Sequence, residues 1–429
     1  MKAYSDRCGV WQDGNSVELL INGEDFFSKV FESIRAARRE VLIETFIIFE
    51  DRVGEGLQQA VIEAAGRGVR VVITVDDYGT SDLSSAFVGK MIEAGVQIQL
   101  FDPRPKLMGM RTNLFRRLHR KVVVIDGELG FIGGINYSVD HMSDTGITAK
   151  QDYAVMVRGP IVSDIYRSTL NMLSPALRKA FDPQKVITRQ AGSARMLLAE
   201  RDNRRHTTDI EEQYLLAMRS ASQRITIANA YFFPSYRFLR ELRNAARRGV
   251  KVTLILQGQP DMPFVRMCSR LTYTWLLREG VLIYEYKQRA LHGKVALVDH
   301  EWSTVGSSNL DPLSLALNLE ANLFIRDHSL NQQLHEHLKQ LAADQSKQVN
   351  LKGLAKGQWW RAPMIFLSFH FLRHFPAIAG LFPVHGLRLK PMRAPDVMPE
   401  AAELNHDETT QVPRHEPLRR ELTDQEKSV

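Results

Sequence analysis

Cysteine is nearly absent: Cys8 and Cys268 are the only two in 429 residues. Two thiols so far apart offer neither a metal-ligand spacing nor a disulfide framework, which suits a reducing compartment. Long apolar runs are missing too. No uncharged apolar stretch reaches the roughly 18 residues a spanning helix needs. The N-terminal MKAYSDRCGVWQDGN lacks the apolar core of a secretory signal, so none is expected there.

What is present is ordinary globular composition, 44% hydrophobic and 24% charged, enough for two to three domains. The formal charge is +7 and the sequence pI about 9.3. An anionic partner follows, though the bias alone does not separate nucleic acid from an anionic membrane. The charge is unevenly placed. Residues 394–429 hold nine Asp/Glu against four Lys/Arg, which leaves 52 Lys/Arg against 40 Asp/Glu on residues 1–393.

The chain is built twice. LHRKVVVIDGELGFIGGINYS (Leu118–Ser138) and LHGKVALVDHEWSTVGSSNLD (Leu291–Asp311) share one order of polar residues. His119, Lys121, Asp126, Gly133 and Asn136 map onto His292, Lys294, Asp299, Gly306 and Asn309, each pair 173 residues apart. AAGRGVRVVITVDD (Ala64–Asp77) resembles AARRGVKVTLILQG (Ala245–Gly258), and VLIETFIIFED (Val41–Asp51) resembles ITIANAYFFPS (Ile225–Ser235). EAGVQIQLFD (Glu93–Asp102) is matched by REGVLIYEYK (Arg278–Lys287). In each half a helix with an apolar stripe (Phe26, Phe27, Val30, Phe31 and Ile34; then Ile210, Tyr214, Leu215 and Met218) alternates with strand-like runs. The expectation is α/β: two tandem α/β/α sandwich domains related by a pseudo-two-fold, each with a mostly buried mixed sheet. Domain limits of 1–180 and 190–345 fit the polar stretch Asp182–Arg195 between them.

Beyond residue 345 the character changes. Residues 346–393 mix aromatic and basic side chains, with Trp359 and Trp360 ahead of PMIFLSFHFLRHFPAIAGLFPV (363–384). They read either as an amphipathic membrane-associating segment or as a helix capping the second domain. Residues 394–429 read as a disordered acidic tail.

Side chains alternate along a strand, so His119 and Lys121 share a face, and so do His292 and Lys294. Brought together about a two-fold axis, two imidazoles and two ammonium groups suit a phosphodiester. The lysines neutralise the non-bridging oxygens. One neutral imidazole attacks phosphorus and the other, protonated, donates to the leaving oxygen. Imidazole titrates near neutrality, so both forms can coexist. No metal or cofactor is required. Asn136, Ser308 and Asn309 offer further polar groups near the turn glycines.

These residues resemble the phospholipase D superfamily, whose H-x-K-x4-D signature followed by Gly and Asn occurs in both halves of residues 10–345. The resemblance implies a bilobal fold and a covalent phosphohistidine, with His119 as nucleophile and His292 as general acid. It implies that Asp126 and Asp299 are mainly structural, and that an acidic residue after each motif, Asp152 and Glu320, orients a histidine. Within the superfamily, IETFIIFEDRVG, IANAYFFPSYRFL, GSSNLDPLSLALNLEAN and FHFLRHFPA look like bacterial cardiolipin synthases, the B type in particular. That likeness implies a transferase joining two phosphatidylglycerols into cardiolipin with release of glycerol. Its partners would be anionic phospholipid and the cytoplasmic side of the bacterial inner membrane, met peripherally, without nucleic acid. The alternatives are a phosphodiesterase of the same fold hydrolysing phospholipid or nucleic acid, and a non-catalytic membrane-surface protein. Arg104, Lys106, Arg111, Arg116, Arg117 and Arg120 crowd the approach to His119, either to hold anionic headgroups or as a solvated basic face. Asp261–Leu277 reads equally as an acyl-chain entrance or as core.

Overall fold

The computed structural model describes residues 9–103, 117–182, 189–258, 263–351, Pro363, Leu367 and 388–392. The first lobe runs β1 (Gln12–Ile21), α1 (Asn22–Ala36), β2 (Glu40–Thr45), α2 (Arg52–Gly66), β3 (Arg70–Asp76), α3 (Ser85–Glu93), β4 (Gln97–Phe101), β5 (Val122–Ile125), β6 (Leu129–Gly133), β7 (Lys150–Gln151), β8 (Tyr153–Arg158), α4 (Ile161–Asn171) and the short α5 (Pro175–Arg178). The second repeats this order with β9 (Ala194–Arg201), α6 (Asp209–Ser220), β10 (Arg224–Asn229), α7 (Tyr236–Arg247), β11 (Lys251–Gln257), α8 (Pro263–Arg278), β12 (Leu282–Tyr286), β13 (Ala290–Leu291), β14 (Lys294–Val298), β15 (Trp302–Gly306), α9 (Pro312–Ala316), β16 (Glu320–Arg326) and α10 (His328–Asp344). Two edge strands follow, β17 (Ser346–Gln348) and β18 (Leu389–Pro391).

Local chemistry sets these elements. β2 and β3 are buried along nearly their whole length, as β-branched runs covered on both faces should be. They pair in parallel, as do β10 and β11, so each pair needs a helical crossover. The crossover helices start on side-chain caps: Asp51 accepts from the backbone N–H of Val53 and Gly54, and Ser235 from that of Phe238. The antiparallel β5–β6 hairpin turns on Asp126 and Gly127, both at positive φ.

The two sheets expected from the sequence are one. Among the described residues, sixteen strands run in the order β17-β12-β11-β10-β14-β15-β16-β9-β1-β8-β6-β5-β2-β3-β4-β18. The join is β1 against β9, antiparallel, each being the first strand of its lobe. A first strand presents an unpaired backbone edge, and a two-fold brings two such edges together. Asn15 fastens the seam, donating to the carbonyls of Gln12 and Ala194 while accepting from the Ile161 N–H. One face of each half-sheet has its own core against α1–α3 or α6–α8. The opposite faces share a core, in which Tyr166 and Leu170 of α4 and Leu334 and Leu338 of α10 belong to one cluster.

The 346–393 segment is tied down at both ends: β17 pairs with β12 and β18 with β4. Its middle, apart from Pro363 and Leu367, and the acidic tail lie outside the described residues. Of Asp261–Leu277, Tyr273 and Leu276 are fully buried in the core of the second lobe. No helix among the described residues is long and apolar enough to cross a membrane.

Candidate active site

The two His-x-Lys segments are held where the lobes meet, just ahead of β5 and at the start of β14. Lys294 opens β14 and pairs with Asn229 in the sheet, as expected, while the two histidines stand just outside the strands and are held by main-chain bonds to the opposite lobe. Leu118 bridges Leu319 in parallel, and the His119 N–H donates to the Leu319 carbonyl at 3.0 Å. In the mirror arrangement β13 pairs with β7 and the His292 N–H donates to the Gln151 carbonyl at 2.8 Å.

That crossing sets the partners of the rings. His119 Nδ1 lies 3.0 Å from both carboxylate oxygens of Glu320, and His292 Nδ1 lies 2.5 Å from Asp152 Oδ2. Each imidazole is therefore held by the acid of the other lobe. Both acids are fully buried. With Nδ1 engaged, Nε2 is the nitrogen each ring offers to a substrate. The two side chains keep only 11% and 13% exposure, a narrow opening to the site.

The lysines are buried as well. Lys121 Nζ donates to the His119 carbonyl at 2.8 Å, and Lys294 Nζ reaches the His292 carbonyl and stands 3.0 Å from its Nδ1. Burial, and then the neighbouring Lys294 charge, bring the Lys121 pKa down to about 7. Burial pushes His119 down to about 4; Lys121 and Lys294 add to this while Glu320 opposes it. His292 is held well below its usual value by burial, then by Lys294, Lys150, Lys121 and His119. The four side chains thus act on one another across the lobe boundary. Burial leaves both rings neutral, while the nearby Glu320, Asp152 and Asp76 carboxylates oppose the lowering at Lys121.

The motif aspartates do not join them. Asp126 lies beyond the four-residue β5, where its carboxylate accepts from the backbone N–H of Arg38, Arg39 and Glu40. Asp299 does the same with Ser222, Gln223 and Arg224. They are corner fastenings at the far strand end, away from the histidines. Asn136 and Asn309 are buried at matched positions, and the amide oxygen of each lacks a hydrogen-bond partner among the described residues. The Ser308 hydroxyl turns to the Asn309 carbonyl instead.

Arg120 contradicts its sequence reading. Facing away from its neighbours, it is buried against Glu44, Glu200 and the Ser168 hydroxyl, so it cross-links the lobes and holds no headgroup. Arg117 does lie near the site, its guanidinium 3.9 Å from the Tyr78 ring centroid and 5.6 Å from that of Phe46. Arg104, Lys106, Arg111 and Arg116 lie outside the described residues.

Sequence reasoning missed several neighbours. The Phe46 ring packs edge-on to His119 at 5.2 Å, with Lys121 Nζ 5.3 Å from its centroid. Asp76 accepts the Leu118 N–H at 2.7 Å, next to His119, and burial raises its pKa to about 7. Ser307 Oγ donates to Glu320 Oε2 at 2.6 Å. His141 packs against His292 with ring centroids 5.5 Å apart. Only the Gly134/Ser307 mismatch between the repeats was visible in advance; the rest depends on contacts between distant segments. His141, Asp152 and His292 bring one ligand atom each within 4.8 Å of one another. Lys294 beside one of those donors opposes a divalent cation there.

The arrangement is two neutral imidazoles, each oriented by a carboxylate, with two ammonium groups around a small opening. It can bind a phosphodiester anion and exchange its ester group through one ring while the other moves the proton. A family profile described as cardiolipin synthase, PLD-like domain, matches residues 30–173 and 214–342. Cardiolipin synthase B of Salmonella typhi is 52% identical over 383 residues, covering 88% of this chain and 92% of that protein. Cardiolipin synthase B of Escherichia coli is 51% identical over 389 residues, 90% and 94% of the two chains. Cardiolipin synthase A of Pseudomonas putida is 33% identical over 343 residues, 78% and 69%. Phosphatidylserine synthase of Haemophilus influenzae has a similar fold, with TM-score 0.63 at 13% identity over 89% of this chain and 99% of that one. The chain belongs to the cardiolipin synthase family of phospholipase D-like proteins.

Proposed function

We propose that the chain makes cardiolipin and glycerol from two molecules of phosphatidylglycerol, at the cytoplasmic surface of the membrane and without nucleic acid as a partner. The observation that carries this reading is the crossed pair of histidine–carboxylate contacts around two buried lysines. The donor phosphate sits between Lys121 and Lys294, whose charges it balances. That balance removes much of the Coulombic pressure on the imidazoles and lets one of them carry a proton.

His119 Nε2 attacks phosphorus, forming the N–P bond as the bond to the glycerol oxygen breaks, and His292 Nε2–H donates its proton to that oxygen. Glycerol leaves and a phosphatidyl group stays on His119. A hydroxyl of the second phosphatidylglycerol then gives its proton to His292 and attacks phosphorus, which releases cardiolipin and restores both rings. Glu320 and Asp152 fix the tautomers and stabilise whichever ring is charged. Asn136 and Asn309 line the phosphate. A bound acceptor outcompetes water through its high effective concentration.

The test is product analysis from labelled phosphatidylglycerol vesicles. Wild-type protein gives cardiolipin and glycerol in equal amounts, and His119→Ala and His292→Ala give neither. Phosphatidic acid as the sole lipid product, at every substrate density, would instead identify a hydrolase. Unchanged activity in both variants would remove the histidines from the chemistry.

A further inference from the structure

The two halves of the site are not equivalent, and the difference falls on the carboxylates. Glu320 has a second side-chain donor, since Ser307 Oγ bonds to it at 2.6 Å. The repeat position matching Ser307 is Gly134. It has no side chain to give, and a Cβ there would lie 2.4 Å from Asp152 Oδ1. Asp152 takes the Tyr153 N–H on Oδ1 and His292 on Oδ2, with no hydroxyl counterpart to Ser307 among the described residues.

His141 stands where that donor is missing. Its side chain is fully buried. The Asn136 N–H points to its Nε2 at 3.3 Å, so Nε2 is the acceptor and Nδ1 carries the hydrogen. Nδ1 has no hydrogen-bond partner among the described residues and lies 3.7 Å from Asp152 Oδ2. A buried N–H is costly to leave unpaired, and a small shift of the carboxylate closes this gap. The position 173 residues further on is Ser314, which donates its backbone N–H to Asp311 and has no counterpart of this contact.

We propose that His141 is a positioning residue for the reaction. It supplies the second donor to Asp152 and, through it, sets the ring of His292 for proton transfer. The groups facing it are Asp152, His292, Lys150 and Lys294, and burial among them keeps its ring neutral. The proposal rests on His292 as the proton-transfer histidine.

Three substitutions separate the roles of its two nitrogens. Asparagine places an N–H where Nδ1 stands, glutamine reaches only the Nε2 position, and alanine supplies neither. His141→Ala and His141→Gln are expected to lower kcat by about 10- to 100-fold, the scale for losing an outer partner of a liganding histidine. KM for phosphatidylglycerol should change by less than about twofold, and His141→Asn should recover most of kcat. In an Asp152→Asn background His141→Ala should cost nothing further, because the path through Asp152 is already cut. Wild-type kcat in His141→Ala, equal kcat in the asparagine and glutamine variants, or a full additional loss in the Asp152→Asn background would each overturn the proposal. Wild-type protein assayed alongside keeps the two readings apart: its failure to make cardiolipin would sink the transferase reading itself.

Discussion

Lys121 shows what a phosphate site costs the fold. Burial lowers its pKa from 10.5 to about 7. Between those values the unfolded chain binds more protons than the folded one, so this group makes stability rise with pH across that window and leaves a destabilising charge below it. Lys121→Met should therefore stabilise the protein, by about 1–3 kcal/mol in urea unfolding and more at about pH 6 than at about pH 10, while abolishing transfer. A gain independent of pH would assign the stabilisation to packing instead of to charge. Asp126 is the opposite case. Its carboxylate holds three backbone N–H groups far from the reacting atoms. Asp126→Ala should cost about 1–3 kcal/mol of stability yet leave kcat of the folded protein within a few-fold of wild type. Loss of kcat at unchanged stability would put it back in the chemistry. At this scale the pairs His119/Lys121 and His292/Lys294 were legible because the repeat prints them twice. Phe46 and Asp76 were not, since each acts through a contact with a segment remote in sequence, and His141 was not, since it sits outside the repeated motif.

The elements were legible where apolar periodicity is strong, as in α1, α6, β2, β3, β10 and β11. The His-x-Lys segments look like strand starts because alternation continues into VVVID and VALVD. Lys294 does open β14, but the histidines are also held by parallel bridges to the other lobe, which no local pattern records. The residue between His and Lys differs for the same reason. Arg120 is anchored by Glu44 and Glu200. Gly293 lies under the Tyr153 ring, where a Cβ would meet ring carbons at 2.6 Å. Gly293→Ala should lower stability by about 1–3 kcal/mol through overpacking and should depress activity further by displacing His292. Wild-type activity and melting temperature would show that the ring yields freely. The first strands β1 and β9 escaped the sequence reading; each pairs with a late strand of its own lobe, β8 or β16, and on its other edge with the opposite first strand across the repeat boundary.

At the level of the molecule, one sheet and one shared core bind the lobes. A single cooperative unfolding transition is expected, with fluorescence and circular dichroism coincident. Two separate transitions would mean that the β1–β9 seam and the core beneath it are weak. Sequence similarity between the halves foretold the pseudo-two-fold but not the fusion of the sheets, because a repeat says nothing about which edge meets which.

The claim beneath all of this is that each histidine is held by the carboxylate of the opposite lobe. Imidazole NMR with nitrogen-15 labelling reads it directly, through the hydrogen-bonded Nδ1–H protons of His119 and His292. Glu320→Gln should shift the His119 signal and leave His292 in place, and Asp152→Asn should do the reverse. If Glu320→Gln moved His292 and Asp152→Asn moved His119, each acid would serve its own lobe and the shared site described above would be wrong.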